Sequence, residues 1–156
     1  MYFPKPKGFT LIELIIALAI MGILAAIAGV SLYNYKLNLN LKAAAGDIAA
    51  DMANCKVKAS SEGVRYRIVF NIGSNYSIQK GTESGEPFTT VLTKSPSTFG
   101  TDIRIISANF AGNTYVDFYT RGTVSPGSVQ LTNSRNSTAT VVVNMTGRTY
   151  VQTTLR

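Results

Sequence analysis

The pattern of apolar and polar positions divides the chain into three regimes. Leu14 to Val30 contains no charged or strongly polar residue, and the wider stretch 9–35 carries Glu13 as its one charge. As a helix those 27 positions would extend roughly 40 Å, enough to cross a bilayer. Beyond the span, Leu41, Ala44 or Ala45, Ile48, Met52, Cys55 and Ala59 recur at intervals of three and four, with Lys42, Asp47, Asp51, Lys56 and Lys58 mostly between them. That spacing predicts one helix over 9–61, apolar all round in its first half and amphipathic in its second. Glu62-Gly63 stops it. After Gly63 the period becomes two, and Val, Ile, Thr, Tyr and Phe dominate between turns of Gly, Asn, Ser and Pro. Strands are predicted over 64–71, 75–80, 88–93, 103–108, 115–119, 128–132, 139–144 and 149–153. An amphipathic helix facing such strands implies an α+β fold, the stripe of the helix covering a sheet face.

Composition narrows the chemistry. The chain has 156 residues and a formal charge of +7. From Lys36 onward there are 13 Lys and Arg against seven Asp and Glu, a net +6. This balance suits anionic partners and equally an ordinary basic protein. Cys55 is the single cysteine and histidine is absent. An intramolecular disulfide, a His/Cys metal cluster and every histidine-dependent triad are therefore excluded. No spacing among the eight acids nominates a catalytic or metal-binding pair. The expectation is a protein that is not an enzyme, with no cofactor and no metal. Cys55 lies on the apolar stripe and reads as a small buried hydrophobe.

Glu13 is the anomaly, because a carboxylate at the centre of a span costs about 2.5–3.5 kcal/mol. Lys5 and Lys7 precede the span, which places the short N-terminus in the cytoplasm and exports the rest. A cleaved secretory signal ending at Ala26-Ile27-Ala28, and a permanent single-span anchor, are the alternatives. The length of the run and the charge in its first turns count against the secreted soluble form.

Lys7-Gly8-Phe9-Thr10-Leu11-Ile12-Glu13-Leu14 resembles the processing motif of type IV pilin-like proteins, the pilins and secretion pseudopilins. The resemblance implies a leader, residues 1–8, that a prepilin peptidase removes between Gly8 and Phe9, followed by methylation of the new Phe9 amine. Residues 9–62 would form the long helix, spanning the inner membrane over 9–32, and 63–156 the β domain outside the cytoplasm. Phe9 and Glu13 would serve filament assembly, the carboxylate pairing with an N-terminal ammonium, its own or a neighbour's. Implied partners are other pilin or pseudopilin subunits, the peptidase, an inner-membrane assembly platform, and lipid before assembly. Many major pilins carry a proline where this chain has Gly29-Val30-Ser31. Here only Gly22 and Gly29 loosen the helix, each by up to about 1 kcal/mol relative to alanine. A minor, tip or priming subunit is therefore expected.

Tyr115 to Thr123, Gly127-Ser128-Val129-Gln130-Leu131 and Val141 to Arg148 form a second set of motifs in the C-terminal part. They are similar to the GspH/FimT family of minor pseudopilins. The similarity implies a long helix packed on two antiparallel sheets. Some members serve type II secretion and others type IV pili, including DNA uptake through a Gly-Arg-x-Arg turn. Gly147-Arg148-Thr149-Tyr150 lacks the second arginine. No acid follows Asp117, however, so Arg121, Arg135, Arg148 and Arg156 are candidate phosphate contacts, with Tyr150 a candidate stacking platform.

Overall fold

The computed structural model describes residues 10–156, which form two compact units, 10–36 and Leu37–Arg156. The leader, Gly8 and Phe9 lie outside the described residues. Helix α1, Leu11–Glu62, supplies the whole of the first unit and the first element of the second. In the first unit every large apolar side chain from Leu11 to Leu24 is exposed. The most apolar 18-residue window of α1 has a mean hydropathy of 2.7, so by length and composition the helix can cross a membrane. Its backbone groups bond internally, as hydrocarbon demands.

In the second unit α1 ends at Gly63, whose φ of +65° is the left-handed conformation that closes a helix. Eight strands follow: β1 Tyr66–Phe70, β2 Tyr76–Lys80, β3 Thr89–Lys94, β4 Arg104–Phe110, β5 Tyr115–Phe118, β6 Gly127–Thr132, β7 Thr138–Val143 and β8 Thr149–Thr154. They form two antiparallel sheets, ordered β3-β2-β1-β5 and β4-β6-β7-β8. The helix and the eight strands fall where the periodicities put them, within one or two residues at most ends. Irregularities were not foreseen. Bulges interrupt β2–β3 at Ile78/Gln79 and β4–β6 at Ile105/Ser107, and a short 3₁₀ turn, Pro96–Thr98, precedes β4.

One core joins helix and sheets. Leu41, Ala44, Ala45, Ile48, Met52, Cys55 and Ala59 form the buried face of α1. Tyr66, Ile68, Phe70 and Val116 come from the first sheet, and Ile105, Val129, Leu131, Val141 and Val143 from the second. Strand alternation explains the selection, since β1 buries every second side chain and β7 does the same. Cys55 is 2% exposed, and burial, with Asp51 nearby adding to it, pushes its thiol up to about 12. It is core and not a nucleophile.

Candidate functional site

The start of α1 has a feature that the sequence reading passed over. Thr10 N–H and Thr10 Oγ1 each donate to Glu13 Oε2 at 2.9 Å, and Glu13 N–H donates back to Thr10 Oγ1 at 3.3 Å. This is a capping box, with Thr10 as the capping residue and Glu13 at the third helical position. The Thr-x-x-Glu spacing was its sequence signal. Glu13 is thus held at the first turn by the chain itself, with Oε2 occupied. Gly22 and Gly29 lie within α1, and a β-carbon at either would meet nothing within 4 Å. Internal packing therefore does not require these glycines.

The second half of α1 has two apolar faces. The buried one holds the core residues named above. On the opposite side Leu39, Ala43, Gly46, Ala50, Ala53 and Val57 recur at intervals of three and four, all exposed and none charged. At about 100° per residue this stripe lies diametrically across from Leu41, Ile48 and Cys55. Lys42, Lys56, Asp47 and Lys58 lie on the flanks.

Polar ties fix α1 to the first sheet. Tyr76 Oη, in the core, donates to Asp51 at 2.7 Å and approaches Asp47 at 3.0 Å. Lys94 Nζ donates to both acids, at 3.0 to 3.1 Å. Burial works against the charge on Lys94, but its bonds to Asp51 and Asp47 prevail and hold the ammonium above its usual range. Burial, then the bond to Asp51, drives the Tyr76 phenol far above its ordinary value. Tyr66 is pushed up to about 12 by burial and by its bond to Glu62. Across β1 and β5, Arg67 grips Asp117 with two bonds, at 2.6 and 3.1 Å. Phe88 and Tyr115 each lie 4.0 Å from its guanidinium, and the bond to Asp117 is the main reason its basicity is raised. These groups are structural partners of one another. Among the described residues no cluster of His, Cys, Asp and Glu is arranged to hold a metal.

The four candidate arginines separate into two groups. Arg135 Nε donates to the carbonyl of Arg156 at 2.8 Å, and Asn38 donates to that carbonyl at 3.2 Å. Arg148 follows Gly147 in the β7–β8 turn, which Lys56 Nζ holds through Thr146 O at 2.7 Å. Arg121 precedes Gly122, which also lies against Lys56. Asn38 and Lys56 are 18 positions apart on α1, about 27 Å along the helix. The structure thus brings Arg121 and Arg148 to one end of the unit and Arg135 and Arg156 to the other. Tyr150 is half-exposed on the edge strand β8.

A long apolar-to-amphipathic helix packed on two antiparallel sheets is the architecture of pilin-like proteins. A prokaryotic N-terminal methylation motif matches residues 4–29. The type II transport protein GspH family model matches residues 44–147, about two thirds of the sequence, and the chain belongs to this family. The fold is similar to that of EpsH, a minor pseudopilin of the Vibrio cholerae type 2 secretion system, with a TM-score of 0.59 and 8% identity over 73% of this chain and 97% of that one. It is also similar to FimU, a type IV minor pilin of Pseudomonas aeruginosa, in two crystal forms. Those give TM-scores of 0.52 and 0.55 and 14% identity over 72% of this chain and 92% and 87% of FimU. Comparison with curated proteins finds no match. Family and fold are those of pilin and pseudopilin subunits.

Proposed function

We propose that the chain is a minor subunit of a type II secretion pseudopilus or type IV pilus, held in the inner membrane by residues 9–32 until it assembles through α1. A prepilin peptidase cuts between Gly8 and Phe9, and an inner-membrane platform receives the mature subunit. The observation that carries this reading is the exposed apolar surface of α1. Ten large side chains from Leu11 to Leu24 are each more than half exposed. Burying such a side chain is worth about 1.5–3 kcal/mol, so the segment belongs in lipid or against other helices. The uncharged stripe Leu39 to Val57 continues that character into the second unit, where Ala43, Gly46, Ala50 and Ala53 let a neighbouring subunit's helix approach closely. Glu13, held by Thr10 at the first turn, keeps Oε1 for an ammonium. Gly22 and Gly29, unneeded for internal packing, leave the helix room to adjust in the filament.

Ala50→Glu tests the assembly face. Position 50 is exposed, so the variant is expected to reach the membrane and melt as the parent does, while disappearing from the sheared filament fraction. Wild-type incorporation of Ala50→Glu would remove the stripe from the interface.

A further inference from the structure

Each sheet has two outer strands, and among the described residues only β8 is both open and regular. At β4, Gly73 N–H donates to Ile105 O at 2.8 Å. At β5, Ser125 N–H donates to Asp117 O at 3.0 Å and Val124 bridges Phe118. β3 is bulged at Val91, since Ile78 and Gln79 pair with Leu92 and Thr90, and it ends in Lys94. Bulges and lysines keep an exposed edge from pairing with another chain. β8 has neither. Its residues pair with β7 without a skip, none is charged or proline, and Tyr150 to Thr154 are all exposed.

The turn between β7 and β8 fixes which groups face outward. Asn144 N–H donates to Arg148 O at 3.1 Å, and Gly147 N–H to Asn144 O at 2.9 Å. Bonded pairs alternate along an antiparallel ladder, so Tyr150, Gln152 and Thr154 bond to Val142, Thr140 and Thr138. Thr149, Val151 and Thr153 therefore aim N–H and C=O away from β7, and among the described residues no other backbone group takes them. Val151 lies opposite the buried Val141 and is still 38% exposed, so apolar surface accompanies the open row.

We infer that β8 takes up, as a further strand of the second sheet, an extended segment of a different polypeptide with acidic ends. A row of alternating donors and acceptors at strand spacing is matched by an extended backbone. Charge selects the ends of that segment. Arg148 precedes β8, Lys56 Nζ lies 2.7 Å from Thr146 O in the same turn, and Arg156 follows β8 at its other end. Among the described residues no ion pair takes any of the three, and Asp47, Asp51 and Glu62 are turned to Lys94 and Lys80 of the first sheet. A second copy fits poorly. Two β8 strands paired antiparallel about Gln152 would set Arg148 beside Arg156 at each end, a like-charge contact. The β3 edge of a copy would bring its bulge and Lys94. The occupant is another chain, uncharged along the middle of its strand and acidic at the ends.

In the test, the full chain in detergent micelles at low ionic strength is titrated with the end-blocked peptide Glu-Thr-Val-Thr-Val-Thr-Glu while backbone hydrogen exchange is followed residue by residue. Saturable slowing is expected at Thr149, Val151 and Thr153, with little change at Tyr150, Gln152 and Thr154. Lys-Thr-Val-Thr-Val-Thr-Lys keeps the strand without the acids, and Glu-Pro-Pro-Pro-Pro-Pro-Glu keeps the acids without the N–H groups. Both should bind more weakly. Arg148→Glu, in an exposed turn, is expected to weaken the acidic peptide about threefold or more with no change in melting temperature, because an opposite-charge pair becomes a like-charge one. Val151→Pro removes an outward N–H that β7 does not use, so the fold should persist while the peptide no longer slows exchange at Thr149 and Thr153. Where Val151→Pro melts early, Arg148→Glu decides alone. Unslowed exchange, equal binding of either control peptide, or an unchanged affinity in Arg148→Glu would each overturn the proposal. So would protection of the same three residues that grows with protein concentration in the absence of peptide, the mark of a second copy on the edge.

Discussion

Tyr76 Oη and Asp51 Oδ2 meet at 2.7 Å, a hydrogen bond that joins the last quarter of α1 to the start of β2 inside the core. Removing the hydroxyl with Tyr76→Phe is expected to cost about 1–2 kcal/mol at neutral pH, since Asp51 keeps Lys94 but loses its buried neutral donor. Urea unfolding of the detergent-solubilised chain measures it. An unchanged midpoint would mean that water replaces the phenol at no cost.

The polar ties between α1 and the first sheet also predict an alkaline instability. Tyr76, Tyr66 and Lys94 all hold their protons more tightly folded than unfolded. A raised folded-state pKa gives stability that is complete below the unfolded value, near 10 for both residue types, and is lost as pH climbs through the folded one. The unfolding midpoint is therefore expected to hold steady in this respect to about pH 9.5 and to fall beyond pH 10. The fall should be shallower in Tyr76→Phe, which lacks one of the three groups. A steeper fall in that variant would contradict the assignment.

Arg67 and Asp117 make the other internal tie, with side chains only 18% and 10% exposed. Arg67→Lys keeps the charge but loses the two-pronged grip and the guanidinium's 4.0 Å approach to the Phe88 and Tyr115 rings. A loss of about 1–3 kcal/mol is expected, because an ammonium cannot reproduce a planar fork and leaves the carboxylate partly unpaired. Equal stability of the parent and the Arg67→Lys variant in chemical denaturation would show that the pair contributes charge alone.

These ties mark the limit of what the sequence displays. Helix and strands were legible because Leu41, Ile48 and Cys55 keep a helical period and Tyr66, Ile68 and Phe70 keep a period of two. The Thr10–Glu13 box was legible from four adjacent residues, though read only as a charge problem. Nothing local says that β5 returns to pair with β1, which is what brings Asp117 to Arg67 across 50 positions. The same return sets Tyr119 opposite Arg65, whose guanidinium lies 4.9 Å from the centre of its ring. The arginines after Asp117 looked like one group along the sequence. The β6–β7 hairpin separates them, since residues at the two turns of a hairpin strand are kept apart by its length.

Glu13→Ala bears on how the helix enters an assembly. Removing the carboxylate leaves the apolar span intact and exposes the Thr10 N–H, so membrane insertion should persist while recovery in sheared filaments falls severalfold. The loss of a helix cap costs about 1 kcal/mol, so helicity near the first turn should also weaken. Glu13→Gln separates the two roles. An amide still accepts from Thr10 but carries no charge, so a filament defect in Glu13→Gln with normal helicity would assign the charge to assembly. Normal incorporation of both variants would refute that role.

The central claim is that the apolar helix is processed for assembly and is neither a secretion signal nor a permanent anchor. Mass spectrometry of the mature N-terminus, on protein recovered from its native membrane, reads this directly. The account predicts a chain beginning at Phe9 with one methyl group on its amine. A chain beginning at Gly29, released after Ala28, or one retaining Met1 and the leader, would contradict it.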